Sequence, residues 1–100
     1  MPMETISAAV DRLSAAGYTA DFRAEPAGLR VVGTGCVHPP EALLIDEIVR
    51  FEGATDPGDE AIVFALRCPV HGGKGTYTVA YGASMPAIDA DMVQRLRAQA

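Results

Sequence analysis

Three β-strand patterns follow one another between residues 43 and 81, and they constrain the fold more than any other feature of the sequence. Residues 43–52, 61–68 and 76–81 are rich in β-branched and aromatic side chains, which favour strands. Gly, Pro and Asp are frequent in residues 53–59 and are typical of a loop that closes a hairpin. We therefore predict three consecutive antiparallel strands in this part of the chain.

Residues 41–50 also allow a helix, because two prolines precede them and Pro is common at the first position of a helix. The β-branched residues of this segment and the aromatic residue that follows it favour a strand instead. We predict the strand.

The hairpin between the first two of these strands has a preferred register, which places Asp46 opposite Arg67 as an opposite-charge pair. In this register the apolar residues of both strands share one face, and a shift by one residue would lose that arrangement. Glu47 then falls on the apolar face opposite Leu66. We expect a β-bulge to turn Glu47 away from this face, and a carboxylate with a functional role is the alternative.

The rest of the chain predicts a helix at each end and two further strands. Apolar residues from Ile6 to Leu13 recur at helical spacing, which predicts a helix over residues 4–16. Asp89 is a suitable N-cap for a helix that ends near Gln99. The predicted strands are residues 18–23 and 29–32.

These elements predict one α+β domain over residues 1–100. Its sheet should be mostly antiparallel with four or five strands, and the N- and C-terminal helices should pack on one face of that sheet.

The two cysteines and two histidines of the chain fall into two close pairs, Cys36 with His38 and Cys68 with His71. The run from Cys68 through Pro69 to Gly72 resembles a zinc knuckle in which His replaces one ligand. Two thiolates and two imidazoles suit tetrahedral zinc, and a site with four protein ligands is closed and structural. We therefore predict that Cys36, His38, Cys68 and His71 bind a structural zinc ion.

The predicted topology supports this site, because the hairpin loop at residues 53–59 occupies one end of the sheet. Residue 43 and Cys68 then share the other end, and Cys36 lies only a few residues before residue 43. Two simpler interpretations stay open. Cys68 can be a small core residue with both histidines in surface turns, or Cys36 and Cys68 can form a disulfide.

The net charge of −5 argues against nucleic-acid binding, since phosphate backbones need clustered basic residues and the eight here are scattered. The longest apolar run is too short to cross a membrane. Residues 1–4 lack the basic and then apolar pattern of a signal peptide, so we expect a cytoplasmic protein whose thiols stay reduced.

Several segments resemble a known family: Gly17-Tyr18-Thr19 with Asp21-Phe22, Ile45-Asp46-Glu47 with Arg50-Phe51-Glu52-Gly53, Asp56-Pro57, and Ala80-Tyr81-Gly82. It is a family of short bacterial proteins often labelled phosphoribosylpyrophosphate synthetase. The resemblance covers most of the chain, and its members often lack the two cysteines, although a His before a Pro resembles His38-Pro39. The resemblance implies a small bacterial protein. The chain has no glycine-rich phosphate-binding loop that leads into a helix, as a full-length synthetase of that name would have.

Two functional classes follow from these patterns. The first is a small zinc-stabilised binding or regulatory module, for which a homodimer through an exposed sheet edge is one arrangement. The second is a small metal-dependent enzyme with an open metal site near Glu47 and Arg50, whose neighbours form an acidic cluster that could equally be a solvated strand face. No residue combination is specific enough to name a catalytic group.

Overall fold

The computed structural model of the chain describes residues 5–51, 61–69, 72–80 and 85–97. Two helices and six strands account for most of these residues, together with one short 3₁₀ helix between the third and fourth strands. In chain order they are α1 (Ile6–Ala15), β1 (Ala20–Glu25), β2 (Gly28–Val31), β3 (Val37–His38), the 3₁₀ helix (Pro40–Ala42), β4 (Leu44–Phe51), β5 (Ala61–Arg67), β6 (Lys74–Ala80) and α2 (Ala87–Arg97).

The six strands form one mixed sheet in the order β3-β2-β1-β6-β5-β4. The pair β1 and β6 is parallel, and the other four neighbouring pairs are antiparallel. The predicted α+β class with a helix at each end is therefore confirmed, whereas four or five strands was too few. The sequence pattern missed β3, because a strand of two residues is too short to show periodicity.

The two helices lie on opposite faces of the sheet, so the prediction that both pack on one face was wrong. Ile62, Phe64 and Leu66 of β5 belong to the core cluster that includes α2, whereas Val63 and Ala65 belong to the cluster that includes α1. Successive side chains of a strand point to opposite faces. The unbroken apolar sequence of β5 is the pattern of a strand that is covered on both sides.

The helix boundaries are close to those predicted, but the predicted N-cap residue of α2 was wrong. The side chain of Thr5 caps α1 by accepting a hydrogen bond from the N–H of Ala8 over 3.0 Å. Helix α2 begins at Ala87, so Asp89 lies in its first turn and is not the N-cap that the sequence suggested.

The predicted β-bulge in the β4–β5 hairpin is confirmed, and the predicted register was wrong. Leu44 pairs with Arg67, and the register shifts between Ile45 and Glu47. Asp46 nevertheless meets Arg67, because the Arg67 Nε lies 3.2 Å from the Asp46 Oδ2. The expected charge pair thus forms through the side chains although the two residues are not strand partners.

The link between β3 and β4 shows that the sheet must curl. These strands are the two edges of the sheet, which would lie about 24 Å apart if six strands were flat. From His38 to Leu44 the chain can span at most about 20 Å, and its 3₁₀ turn shortens that reach. Pro40 and Leu43 of this link are buried, and α2 packs on the 3₁₀ helix. The two edges are therefore drawn towards each other on the α2 side.

Neither of the helices that the structure describes has the length and apolar character that a membrane span requires.

Candidate functional site

A cavity of about 440 Å³ lies at the end of the sheet where β5 turns towards β6. Phe22 and Val31 provide apolar wall, and Phe22 and Cys68 also belong to the core cluster under α2. Its described lining consists of Thr19, Ala20, Phe22, Val31, Thr34, Cys36, His38, Cys68, Gly73 and Lys74.

Strand pairing explains why Cys36 and His38 face this cavity. The N–H of Val31 donates to the C=O of Cys36 over 2.7 Å, and Leu29 pairs with His38. Directly opposite residues of an antiparallel pair point to the same face. Val31 also pairs with Phe22, so Cys36 and His38 lie on the face of the sheet that the α2 cluster occupies.

The turn after β5 holds Cys68 at the other wall of the cavity. The N–H of Cys68 donates to the C=O of Gly73, and the N–H of Gly72 donates to the C=O of Cys68, both over 2.7 Å. Gly72 has a φ of 73°, a conformation that favours glycine. The Cys68 residue is buried, whereas Cys36 is exposed and His38 is half-buried. The turn therefore holds Cys68 in the cavity wall, below the protein surface.

Three of the four predicted zinc ligands thus line one cavity, but they do not meet at one point. Within residues 5–51, 61–69, 72–80 and 85–97, no group of three or more His, Cys, Asp or Glu residues is placed to hold a metal ion. Three strands, β2, β1 and β6, separate β3 from β5 in the sheet. His71 lies outside the described residues.

The carboxylates of the acidic segment in β4 are engaged on the other side of the sheet. The Tyr18 hydroxyl donates to the Asp46 Oδ2 over 2.6 Å, and this bond together with Arg67 lowers the pKa of the Asp46 carboxyl. The same bond from Tyr18 to Asp46 raises the pKa of the Tyr18 phenol. Arg12 contacts Glu47 with 2.8 Å between Nη2 and Oε2. Neither carboxylate lines the cavity of Cys36 and Cys68.

A second cavity, of about 510 Å³, lies between β1 and β6 beside the start of α2. The Tyr77 hydroxyl donates a hydrogen bond to the Asp89 carboxylate at its wall. Burial of Tyr77, and then this bond, raise the pKa of its phenol far above the usual value. The sequence pattern missed this site, because the two strands that flank it are about fifty residues apart in the chain and neither carries a recognisable motif.

The chain matches no family model, no curated protein and no solved structure. The resemblance to the short bacterial family therefore stays a prediction.

The described lining of the first cavity offers two thiols and one imidazole. Such groups are soft ligands that suit zinc, and their lining contains no described carboxylate that could act as a general base. The lining can therefore supply soft ligands to an ion, and the His38 imidazole is also a group that can accept or donate a proton.

Proposed function

We propose that this protein is a small binding module in which a zinc ion stabilises one end of the sheet, with Cys36, His38, Cys68 and His71 as donors. The observation that carries the proposal is that Cys36, His38 and Cys68, from two distant parts of the sequence, line one cavity. A volume of about 440 Å³ exceeds what one ion requires and falls in the range of small-ligand pockets.

Cys36 and Cys68 each lie beside a turn, which supports closure of the donors on an ion. Gly33 and Gly35, with φ values of 105° and 77°, precede Cys36 in the turn between β2 and β3. Gly72 has the same kind of conformation after Cys68. Zinc requires distances of about 2.3 Å to sulfur, so the two walls must approach each other when it binds. Binding energy of the ion would then contribute directly to folding stability.

Zinc content and thermal stability test this proposal. Protein purified without added metal should contain close to one equivalent of zinc, and a chelator should lower its melting temperature by several degrees. Cobalt should give the intense visible absorption of tetrahedral thiolate coordination in the same protein.

Single variants then separate the donors from the surrounding fold. Cys36→Ser and His38→Gln change exposed or half-buried groups, so they should weaken zinc binding and lower stability by no more than a chelator does in the wild type. Thr19→Ser is the matched control, because Thr19 lines the same cavity without supplying a soft ligand. If the purified wild-type protein contains no zinc, and neither zinc nor a chelator changes its stability, the simpler interpretation of Cys68 as a core residue is supported instead.

The metal-dependent enzyme receives no support from the described residues. Glu47 pairs with Arg12 and is not among the described lining residues of the thiol cavity. Arg50 pairs with Ile62 in the hairpin and also lies outside that lining. A catalytic role would require Glu47 to leave its ion pair and reach the other face of the sheet.

The edge strand β4 supports a homodimer as part of the same proposal. Leu44 and Ile48 are large apolar residues with exposed fractions of 42% and 41%, and β4 is one end of the sheet. An exposed strand edge can pair with a second chain. Analytical ultracentrifugation should show a dimer that Ile48→Lys weakens, and a monomer at high protein concentration would remove this part.

A further inference from the structure

The ladder between β1 and β6 ends after two residue pairs, although both strands continue. Ala20 pairs with Gly75 and Asp21 with Thr76, and no further pair joins the described residues of the two strands. Beyond this point β1 pairs only with β2, and β6 pairs only with β5. The cavity of about 510 Å³ occupies the resulting gap inside the sheet, and we refer to it as the β1–β6 slot.

Backbone groups of β1 point into this slot. The C=O of Asp21 accepts a hydrogen bond from the N–H of Val32 over 2.8 Å, so the backbone groups of Asp21 point towards β2. Successive residues of a strand direct these groups to alternate sides. The backbone N–H and C=O groups of Phe22 and Ala24 therefore point towards β6. Ala24 lies beyond the end of the β1–β6 ladder, so its groups have no partner in that ladder.

The same alternation applies to β6. Thr76 is the last paired residue of this strand and bonds to the residues that flank Asp21 in a parallel ladder. Thr78, two residues further, therefore directs its N–H and C=O towards β1 as well. Strands β1 and β6 thus face each other across the slot. The N–H and C=O groups that they direct into it have no strand partner among the described residues.

The walls of the slot differ on the two faces of the sheet. Phe22 and Tyr77 are buried on the side of α2, where Ile88 completes an apolar floor. On the opposite face Asp21 and Thr78 are exposed. A group that enters from the exposed face thus passes polar side chains first and then meets the rings of Phe22 and Tyr77, with the Tyr77–Asp89 hydrogen bond beside them.

We propose that the β1–β6 slot binds an extended peptide segment of a partner protein, which adds a strand between β1 and β6. An extended backbone carries donors and acceptors along both of its edges, so it can complete both ladders at once. Peptides bind to other proteins by strand addition of this kind.

The slot also indicates the sequence that the partner should carry. A residue whose side chain points towards Phe22 and Ile88 should be small and apolar, because α2 closes that side. Neighbouring residues point outwards beside Asp21 and Arg23, which form an ion pair, whereas the Asp89 carboxylate lies on the α2 side. With a net charge of −5 on the whole chain, a basic residue at the outward position is favoured. This proposal does not require the zinc ion.

Selection of peptides tests the proposal directly. A displayed library of random nine-residue peptides is panned on wild-type protein, and the selected peptides are measured by calorimetry with and without zinc. Amide exchange by NMR should show that the N–H groups of Ala24 and Thr78 exchange fast in the free protein and become protected when a selected peptide binds.

Two substitutions at one position provide the matched comparison. Ala24→Pro removes the N–H that faces the slot but no bond of the β1–β2 ladder, so it should weaken selected peptides by about tenfold or more. Ala24→Gly retains the N–H and adds no atom to the slot, so any loss of affinity in this variant measures the side chain alone. Thr78→Pro repeats the test from β6 if Ala24→Pro does not fold.

Three results would overturn the proposal. The first is that no peptide is enriched, and the second is that selected peptides bind both proline variants as tightly as the wild type. The third is that the Ala24 and Thr78 amides are already protected in the free protein, because the slot would then be closed by this chain or by a second copy. Loss of zinc binding with retained peptide binding would refute only the zinc module.

Discussion

Gly75 of β6 lies so close to Ala20 of β1 that a Cβ at Gly75 would be 2.5 Å from the Ala20 carbonyl oxygen. Gly75 and Ala20 form one of the two pairs that join β1 to β6. These pairs join the first three strands of the sheet to the last three. A side chain at Gly75 would therefore separate the two halves of the sheet.

Gly75→Ala should lower the free energy of unfolding by about 2 kcal/mol or more, since the contact is with backbone that cannot turn aside. Chemical denaturation measures the loss. Gly73→Ala is the control, because none of the described residues comes within 4 Å of a Cβ at Gly73 and its φ is not positive. Equal stability of the two variants would show that β1 and β6 are not this close.

Tyr77→Phe should destabilise the protein by about 1 kcal/mol at neutral pH, because the Asp89 carboxylate loses its bond from the Tyr77 hydroxyl. The pH dependence gives a second signature. The pKa of the Tyr77 phenol is raised in the folded state, so its stabilising effect is complete below the unfolded value near 10 and falls as pH rises above it.

Wild-type protein should therefore lose stability between pH 10 and 11.5 more steeply than Tyr77→Phe, in about the range where unfolded tyrosine ionises. Thermal unfolding across this range measures the difference. Parallel curves for the two proteins would contradict the buried hydrogen-bonded phenol.

Asp46→Asn should destabilise the protein at neutral pH and not in acid. The hydrogen bond from Tyr18 and then Arg67 lower the pKa of the Asp46 carboxyl. Its contribution is therefore present above the unfolded pKa near 4 and is lost as pH falls through the lower folded value. Melting curves from pH 7 to pH 2 should converge for the two proteins, and a difference that persists at pH 2 would point to packing.

The pair of Arg12 and Glu47 should contribute little, because their side chains are 46% and 42% exposed. A double-mutant cycle with Arg12→Ala and Glu47→Ala should give a coupling energy of about 0.2–1 kcal/mol that declines with added salt. A coupling of several kcal/mol would instead restore the idea that Glu47 is a carboxylate with a special role.

The bulge beside Glu47 shows how much of the strand pairing the local sequence pattern could predict. A charged residue among apolar strand partners predicted an irregularity at that point, and the register does shift between Ile45 and Glu47. The pairing on either side was still misjudged, because a bulge adds one residue whose position the alternation does not specify. Local sequence therefore predicted that the strand is irregular, whereas the register depends on partners far away in the chain, such as Arg12 for Glu47 and Tyr18 for Asp46.

The sequence by itself determined where the helices and most strands lie, since hydrophobic periodicity and turn residues such as Gly72 act within a few residues of the chain. The tertiary structure decided which strands are neighbours. It placed β6 parallel to β1, put the helices on opposite faces, and set β2, β1 and β6 between the strands that carry His38 and precede Cys68. Local patterns do not encode these choices, because they depend on contacts between segments that are far apart in the chain and compete to cover the same apolar faces.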